Sequence, residues 1–244
     1  MEKGFYKEYF DLEQDHWWCR GRSAILLDLV NEHLTAKSKI FDFGCGSGYI
    51  VGRLQKLGYD AFGGDFEKQA VNYGTTHGIK NLVLLHNESI SYPDASFDAV
   101  LALDVMEHLA DERPVILEFE RVLKPGGVGI IFVPAYEWLW GVEDEVSHHF
   151  RRYTVKRLVQ IFKDNSSFRV IRQSYFNTLL FLPIAFIRLF SQWLGIKKRE
   201  SDFEINNKFL NAILFRIFYL EHWLLKITNL PFGVSITLVL KKND

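Results

Sequence analysis

The sequence predicts a doubly wound α/β sheet. Three observations predict it: short apolar runs alternating with helical patterns between residues 39 and 133, a glycine-rich loop closing the first run, and an aspartate closing the second. Residues 40–43 read as the first strand and 49–57 as its helix. Residues 60–64 form a second strand followed by a helix over 67–77, and 82–85 a third. Residues 97–103 give a fourth strand, a helix over 112–123 is stopped by Pro125-Gly-Gly127, and 128–133 form a fifth. A helix over 22–34 precedes this series, while the irregular stretch from Asp15 to Arg22 stays unassigned. After it come a helix over 154–162, a strand over 169–175 and a last strand over 235–240.

With 244 residues, 48% hydrophobic and 24% charged, the chain has the composition of a folded domain with an ample core. A formal net charge of -1 argues against a protein built to coat nucleic acid, which needs a basic excess or stripe. Cys19 and Cys45 are too few for a disulfide framework or a cysteine zinc site, so a reducing cytoplasm is the expected location. The charged start lacks the apolar core of a signal peptide.

Asp42-Phe-Gly-Cys-Gly-Ser-Gly48 leaves the first strand and opens a helix, a place where glycines let the backbone turn and a ligand approach closely. Gly44, Gly46 and Gly48 make G-x-G-x-G. A dinucleotide fingerprint needs a glycine three residues after the second, where this chain has Tyr49, so pyrophosphate binding is disfavoured. Asp65, 21 positions beyond Gly44, stands where a carboxylate accepts both hydroxyls of a ribose. The competing reading is a tight turn with a helix-capping aspartate.

These segments resemble the class I S-adenosylmethionine-dependent methyltransferases, and among them the ubiquinone-biosynthesis-type O-methyltransferases. Residues 41–48 are similar to the family's first motif, Gly64-Asp65-Phe66 to its ribose-binding acid, Ser96-Phe-Asp-Ala-Val100 to its fourth strand and Val122-Leu-Lys-Pro-Gly-Gly127 to the turn before its fifth. The resemblance implies a Rossmann-like, seven-stranded sheet. It implies S-adenosylmethionine as cofactor, with Asp42, Gly44, Cys45, Gly46 and Gly48 along its methionine part, Asp65 on the ribose, Phe66 over the adenine, and Asn87 and Leu103 completing the set. At the adenine the family usually has Asp followed by a small residue, and His86-Asn-Glu88 stands there instead.

Methyl transfer to a hydroxyl needs an in-line geometry and a base that takes the proton. Leu103-Asp-Val-Met-Glu-His-Leu109 leaves the fourth strand at the carboxyl edge of the sheet, and a helical turn there would put Asp104, Glu107 and His108 on one face. A second pair of histidines lies in Ser147-His-His-Phe-Arg-Arg-Tyr-Thr154. In one reading His108 or His149 is the general base and Glu107 orients it. In another, Asp104, Glu107, His108 and His149 gather a divalent ion that acidifies the acceptor hydroxyl, a spacing similar to metal-dependent 2′-O-methyltransferases of small RNAs. A purely structural histidine cluster is the third. No metal is assigned.

Arg20 or Arg22 would pair the cofactor's carboxylate if the Trp17-Trp18 stretch folds over it; otherwise the tryptophans pack on the sheet at a helix start. Arg151-Arg152 reads as an anionic-substrate clamp or a solvated face, with Thr154 capping the next helix.

Residues 1–38 thus read as an N-terminal helical cap, 39–175 as the cofactor-binding core, 176–230 as an apolar helical insertion on the acceptor side, and 231–244 as the last strand. The insertion is rich in Phe, Leu, Ile and Trp, but charges at Arg188, Lys197-Lys-Arg199, Arg216 and Glu221 keep any window short of a membrane span. It suits a small or lipid-like acceptor, and also a peripheral membrane contact or a homodimer face. A cofactor-binding module without catalysis and a nucleotide-dependent oxidoreductase are the alternatives from other classes.

Overall fold

A computed structural model describes residues 10, 12–193 and 207–243. Seven strands form one sheet: β1 (Lys39–Phe43), β2 (Asp60–Asp65), β3 (Leu82–Leu84), β4 (Phe97–Leu103), β5 (Leu123–Pro134), β6 (Arg169–Phe176) and β7 (Ser235–Lys241). Their order is β3-β2-β1-β4-β5-β7-β6, parallel from β3 to β5, with β7 antiparallel to both β5 and β6. The helices are α1 (Trp17–His33), α2 (Tyr49–Lys56), α3 (Lys68–Thr76), α4 (Arg113–Val122), α5 (Val142–Val146), α6 (Val155–Asn165), α7 (Phe181–Trp193) and α8 (Lys208–Ile227).

Strands β1 and β4 are buried at nearly every position because both sheet faces are covered. Val115, Ile116 and Phe119 of α4 with Leu158 and Phe162 of α6 close one face. Leu26, Leu29 and Val30 of α1, Val51 and Leu54 of α2, and Phe218 and Leu225 of α8 close the other. Helix α8 meets α1 directly: the Phe218 ring packs edge-on against Trp17 and fills the space in which any side chain at Gly21 would stand.

Two boundaries differ from the sequence reading. Helix α1 starts at Trp17 rather than residue 22, since His16 in an extended conformation caps it, Nδ1 accepting from Trp18 N at 3.4 Å. The stretch left unassigned is therefore its first turns. Strand β5 begins immediately after α4, at Leu123, so Pro125-Gly-Gly127 lies within the strand; pairing with β4 shifts register there and Gly126 takes φ +72°. The short helix α5 and two single 3₁₀ turns, Met106–His108 and Glu137–Leu139, carry no periodic signal of their own.

Between β6 and β7 the described residues form two helices, α7 and α8, and the Lys197-Lys-Arg199 cluster lies outside the described residues. No described helix is long and apolar enough to cross a membrane.

Candidate functional site

Strand order reverses between β1 and β4, which opens a crevice at their carboxyl ends. The glycine loop runs along it. Gly44, Gly46 and Gly48 all adopt left-handed backbone, at φ +73°, +56° and +80°. Gly44 lies under Val105, so a Cβ there would overlap that side chain. Around Gly46 nothing stands within 4 Å of where a Cβ would be. That open backbone is a cradle for a ligand. Behind it Gly74 of α3 packs onto the Ser47 carbonyl, leaving no space for a side chain.

Asp65, at the end of β2, turns back onto the loop: Oδ2 accepts from Gly46 N at 2.7 Å and Oδ1 from Glu67 N at 2.9 Å. Each oxygen keeps a further lone pair for a ribose hydroxyl. Burial pushes its pKa above the ordinary aspartate value, partly offset by those amides. Asp42 is buried beneath the loop, and desolvation raises it to about 8. Cys45 and Leu103 are buried beside it, Phe66 is exposed with its ring edge-on to Phe43, and Asn87 is exposed with left-handed backbone. The loop, Asp65 and Phe66 thus share one crevice.

Sequence reasoning missed Glu13. It is buried, its Oε2 accepts from the Ser47 hydroxyl at 2.9 Å, and burial raises it to about 7 against the pull of Ser47 and Arg22. Arg22 lies among Glu13, Asp42 and Asp104, pairing with Asp104 and resting 4.6 Å from the Trp18 ring centre. Arg20 instead lies over Phe215 of α8 at 3.9 Å, away from the loop. Of the two arginines, only Arg22 faces the crevice.

Beyond β4 the chain makes one 3₁₀ turn, too short to put Asp104 with Glu107 and His108. Asp104 sits before the turn at φ +57° and is drawn to Arg22, so the expected four-residue set loses it. Glu107, His108 and His149 do converge, their ligand atoms all within 4.8 Å of one another, and the two imidazoles meet edge-on at 4.6 Å. Burial and the neighbouring His149 lower His108 to about 4, which keeps it neutral at neutral pH.

Glu107 is fully buried, and neither carboxylate oxygen has a hydrogen-bond partner among the described residues. Desolvation, then the charge of Asp104, push its pKa far up. It does not orient a histidine. That role belongs to Asp144 of α5, also unforeseen, whose Oδ1 lies 2.8 Å from His149 Nδ1. The same carboxylate takes a two-pronged contact from Arg152, at 2.7 and 2.9 Å, and one from Gly141 N at 2.6 Å. Hydrogen bonds from His149 and Arg152 outweigh burial and hold Asp144 down at about 2.

Arg152 is therefore a buried internal partner rather than a clamp or a solvated face. Arg151 likewise reaches Glu112 at 2.5 Å and the Ala110 carbonyl at 2.7 Å. Thr154 caps α6, accepting from Arg157 N at 3.2 Å. Phe150, Arg151, Thr154 and Arg157, with Glu137, border a cleft of about 540 Å³.

Comparison with known proteins agrees with this layout. Residues 41–131 match the family described as "Methyltransferase domain", a span running from the first glycine-loop strand to the core of β5. Over that span, more than a third of the chain, the sequence is similar to a methyltransferase domain. Ubiquinone biosynthesis O-methyltransferase of Xanthomonas oryzae pv. oryzae is 28% identical over 128 residues, 46% of this chain and 54% of that protein. The chain thus spans about half the length of the curated relatives it matches.

Among solved structures, the complex between the Trm112 methyltransferase activator of Haloferax volcanii and a methyltransferase superposes with TM-score 0.63 at 18% identity, over 99% of this chain and 95% of the other. Phosphoethanolamine N-methyltransferase 2 of Haemonchus contortus, in complex with S-adenosyl-L-methionine, gives 0.56 at 16% identity, over 89% and 52%. At such identities the likeness concerns the fold.

The Haemonchus contortus neighbour holds S-adenosyl-L-methionine. The residues present fit that group: an open glycine cradle at Gly46, a carboxylate at the end of β2, and Arg22 beside them. Asn87 lies three residues past β3, exposed and with left-handed backbone. The histidine pair lies outside the matched segment on one side, since His149 falls beyond residue 131.

Proposed function

We propose that the protein moves a methyl group from S-adenosylmethionine to a hydroxyl of a small or lipid-like acceptor, with His149 as the base. One observation carries this reading: a glycine cradle and a pair of touching imidazoles, one backed by a buried carboxylate, stand at the carboxyl edges of neighbouring strands. When bound, the cofactor supplies an electrophilic methyl on a sulfonium. Asp42, Asp65 and Arg22 would hold it, and His149, held by Asp144, would take the hydroxyl proton as the new O–C bond forms and the methyl's bond to sulfur breaks, with S-adenosylhomocysteine as the leaving group. His108 stands against that ring and Glu107 closes the floor beneath.

Calorimetry tests the cofactor part. S-adenosylhomocysteine is expected to bind at micromolar concentration and NAD not at all. Asp65→Ala is expected to weaken the former roughly 10–100-fold, the loss of charged hydrogen bonds to a ribose. Unchanged binding in that variant removes the ribose assignment.

A second reading is favoured by Glu107. A fully buried carboxylate without a hydrogen-bond partner, grouped with two histidines, has the donor set of a divalent-cation site, and Asp144 on His149 is the outer partner such ligands carry. An ion there would lower the pKa of the acceptor hydroxyl, the role it has in the 2′-O-methyltransferase alternative. Nucleic acid is the less fitting acceptor, given the near-neutral charge.

The lipid-like acceptor and a peripheral membrane contact rest on α7 and α8. Leu182, Phe186, Phe190 and Trp193 form one outward stripe, with Leu182 at 74% and Trp193 at 79% exposure; Phe209, Leu220, Trp223 and Ile227 form another, Ile227 at 85%. Flotation with anionic vesicles is expected to carry the protein upward, and Phe186→Asp with Trp223→Asp to release it. Wild-type protein that stays at the bottom and sediments as a dimer assigns these stripes to a homodimer face instead.

A further inference from the structure

We propose that Glu13 is a cofactor-binding residue: its carboxylate, held at the glycine loop by the Ser47 hydroxyl, receives the ammonium group of the methionine tail of S-adenosylmethionine. The inference rests on the cofactor assignment above and adds a residue from outside the matched methyltransferase segment.

The geometry starts from the N-terminal stretch, which is pinned over the loop and helix that follow it. Phe10 packs against the rings of Tyr49, Tyr73 and His77 with centroids 5.6 to 6.1 Å apart. Asn211 of α8 accepts from Trp17 N at 2.7 Å and donates to the Asp15 carbonyl at 2.8 Å, which fixes the entry into α1. Between those anchors Glu13 is delivered to Ser47, the residue next to the open Gly46 backbone.

A buried carboxylate whose bonded partner is a neutral hydroxyl is costly unless a cation joins it. The groups that face it are Arg22, Asp65 and, through Arg22, Asp42. Arg22 already pairs with Asp104. Carboxyl groups outnumber cations here, and burial keeps Glu13 and Asp42 partly protonated, so a bound cation is what lets them ionise. S-adenosylmethionine brings two positive groups and one carboxylate. Arg22 suits the carboxylate, the fork matching its two oxygens, and Glu13 and Asp42 are left for the positive groups. Burial that raises Glu13 to about 7 is the cost that a bound ammonium relieves.

The test compares two nucleosides on the full chain by isothermal titration: S-adenosylhomocysteine, which carries the amino-acid tail, and 5′-methylthioadenosine, which lacks it. Glu13→Gln is expected to weaken the first at least tenfold and to leave the second within twofold. Ser47→Ala, a milder change that leaves the carboxylate in place but unheld, is expected to produce a smaller loss confined to the first; it serves if the glutamine variant does not fold. Equal weakening of both nucleosides makes Glu13 a loop support and overturns the proposal, as does undiminished binding of S-adenosylhomocysteine. Wild-type protein that takes up neither nucleoside overturns the cofactor assignment itself, and Glu13 with it.

Discussion

Replacing His149 with alanine is expected to lower turnover roughly 10²- to 10⁴-fold, the ordinary contribution of a positioned base, while the affinity for S-adenosylhomocysteine stays within twofold. The separation follows from position. His149 stands on the loop after α5 with Nδ1 fixed by Asp144, whereas the glycine loop and Asp65 are organised by β1 and β2. His108→Ala is the companion measurement, because the two rings touch. A common loss of turnover and cofactor affinity in the His149 variant would mean that the imidazole only supports the crevice. Chelation of divalent ions distinguishes the two chemistries at this place: an unaffected rate leaves the Asp144–His149 pair as base, and a rate restored by added metal gives Glu107, His108 and His149 the role of ligands.

Asp144→Ala is expected to cost about 3–5 kcal/mol of folding stability, measured by urea unfolding followed through tryptophan fluorescence. Asp144 is fully buried and accepts from Arg152, Gly141 and His149 at once. Removing it strands the buried Arg152 guanidinium, left with the Ala135 carbonyl, and frees the His149 ring to rotate. A loss under about 1 kcal/mol would show that water or a rearranged Glu137 takes over the arginine, and that the cluster is not rigid.

The parts legible in the sequence are those that local chemistry dictates. A G-x-G-x-G loop must close a strand and open a helix, and an aspartate at the next strand end must face it, so Gly44, Gly46, Gly48 and Asp65 fell into one crevice as expected. The β-branched and apolar runs of β1, β2, β4 and β7 fixed their positions to within a residue or two. What escaped depends on distant partners. Asp104 carries the same side chain in a helical turn or out of it, and a left-handed backbone with an arginine 82 residues upstream decided the matter. Glu13 and Asp144 are ordinary acids in polar stretches; only their burial against Ser47 and Arg152 sets them apart, and burial of that kind has no periodic signature. The start of α1 was hidden because Trp-Trp-Cys-Arg-Gly-Arg packs its apolar side against α8, some 200 positions later.

The antiparallel strand β7 lies between β5 and β6 although it comes after both in the chain. As the polypeptide emerges from the ribosome, β6 therefore has no strand to pair with until β7 has been synthesised, while β1 to β5 can already assemble. Until then the nascent chain carries two unpaired strand edges and the aromatic faces of α7 and α8. The vulnerable interval of biogenesis thus lies between synthesis of β6 and of β7, when a chaperone would have most to hold.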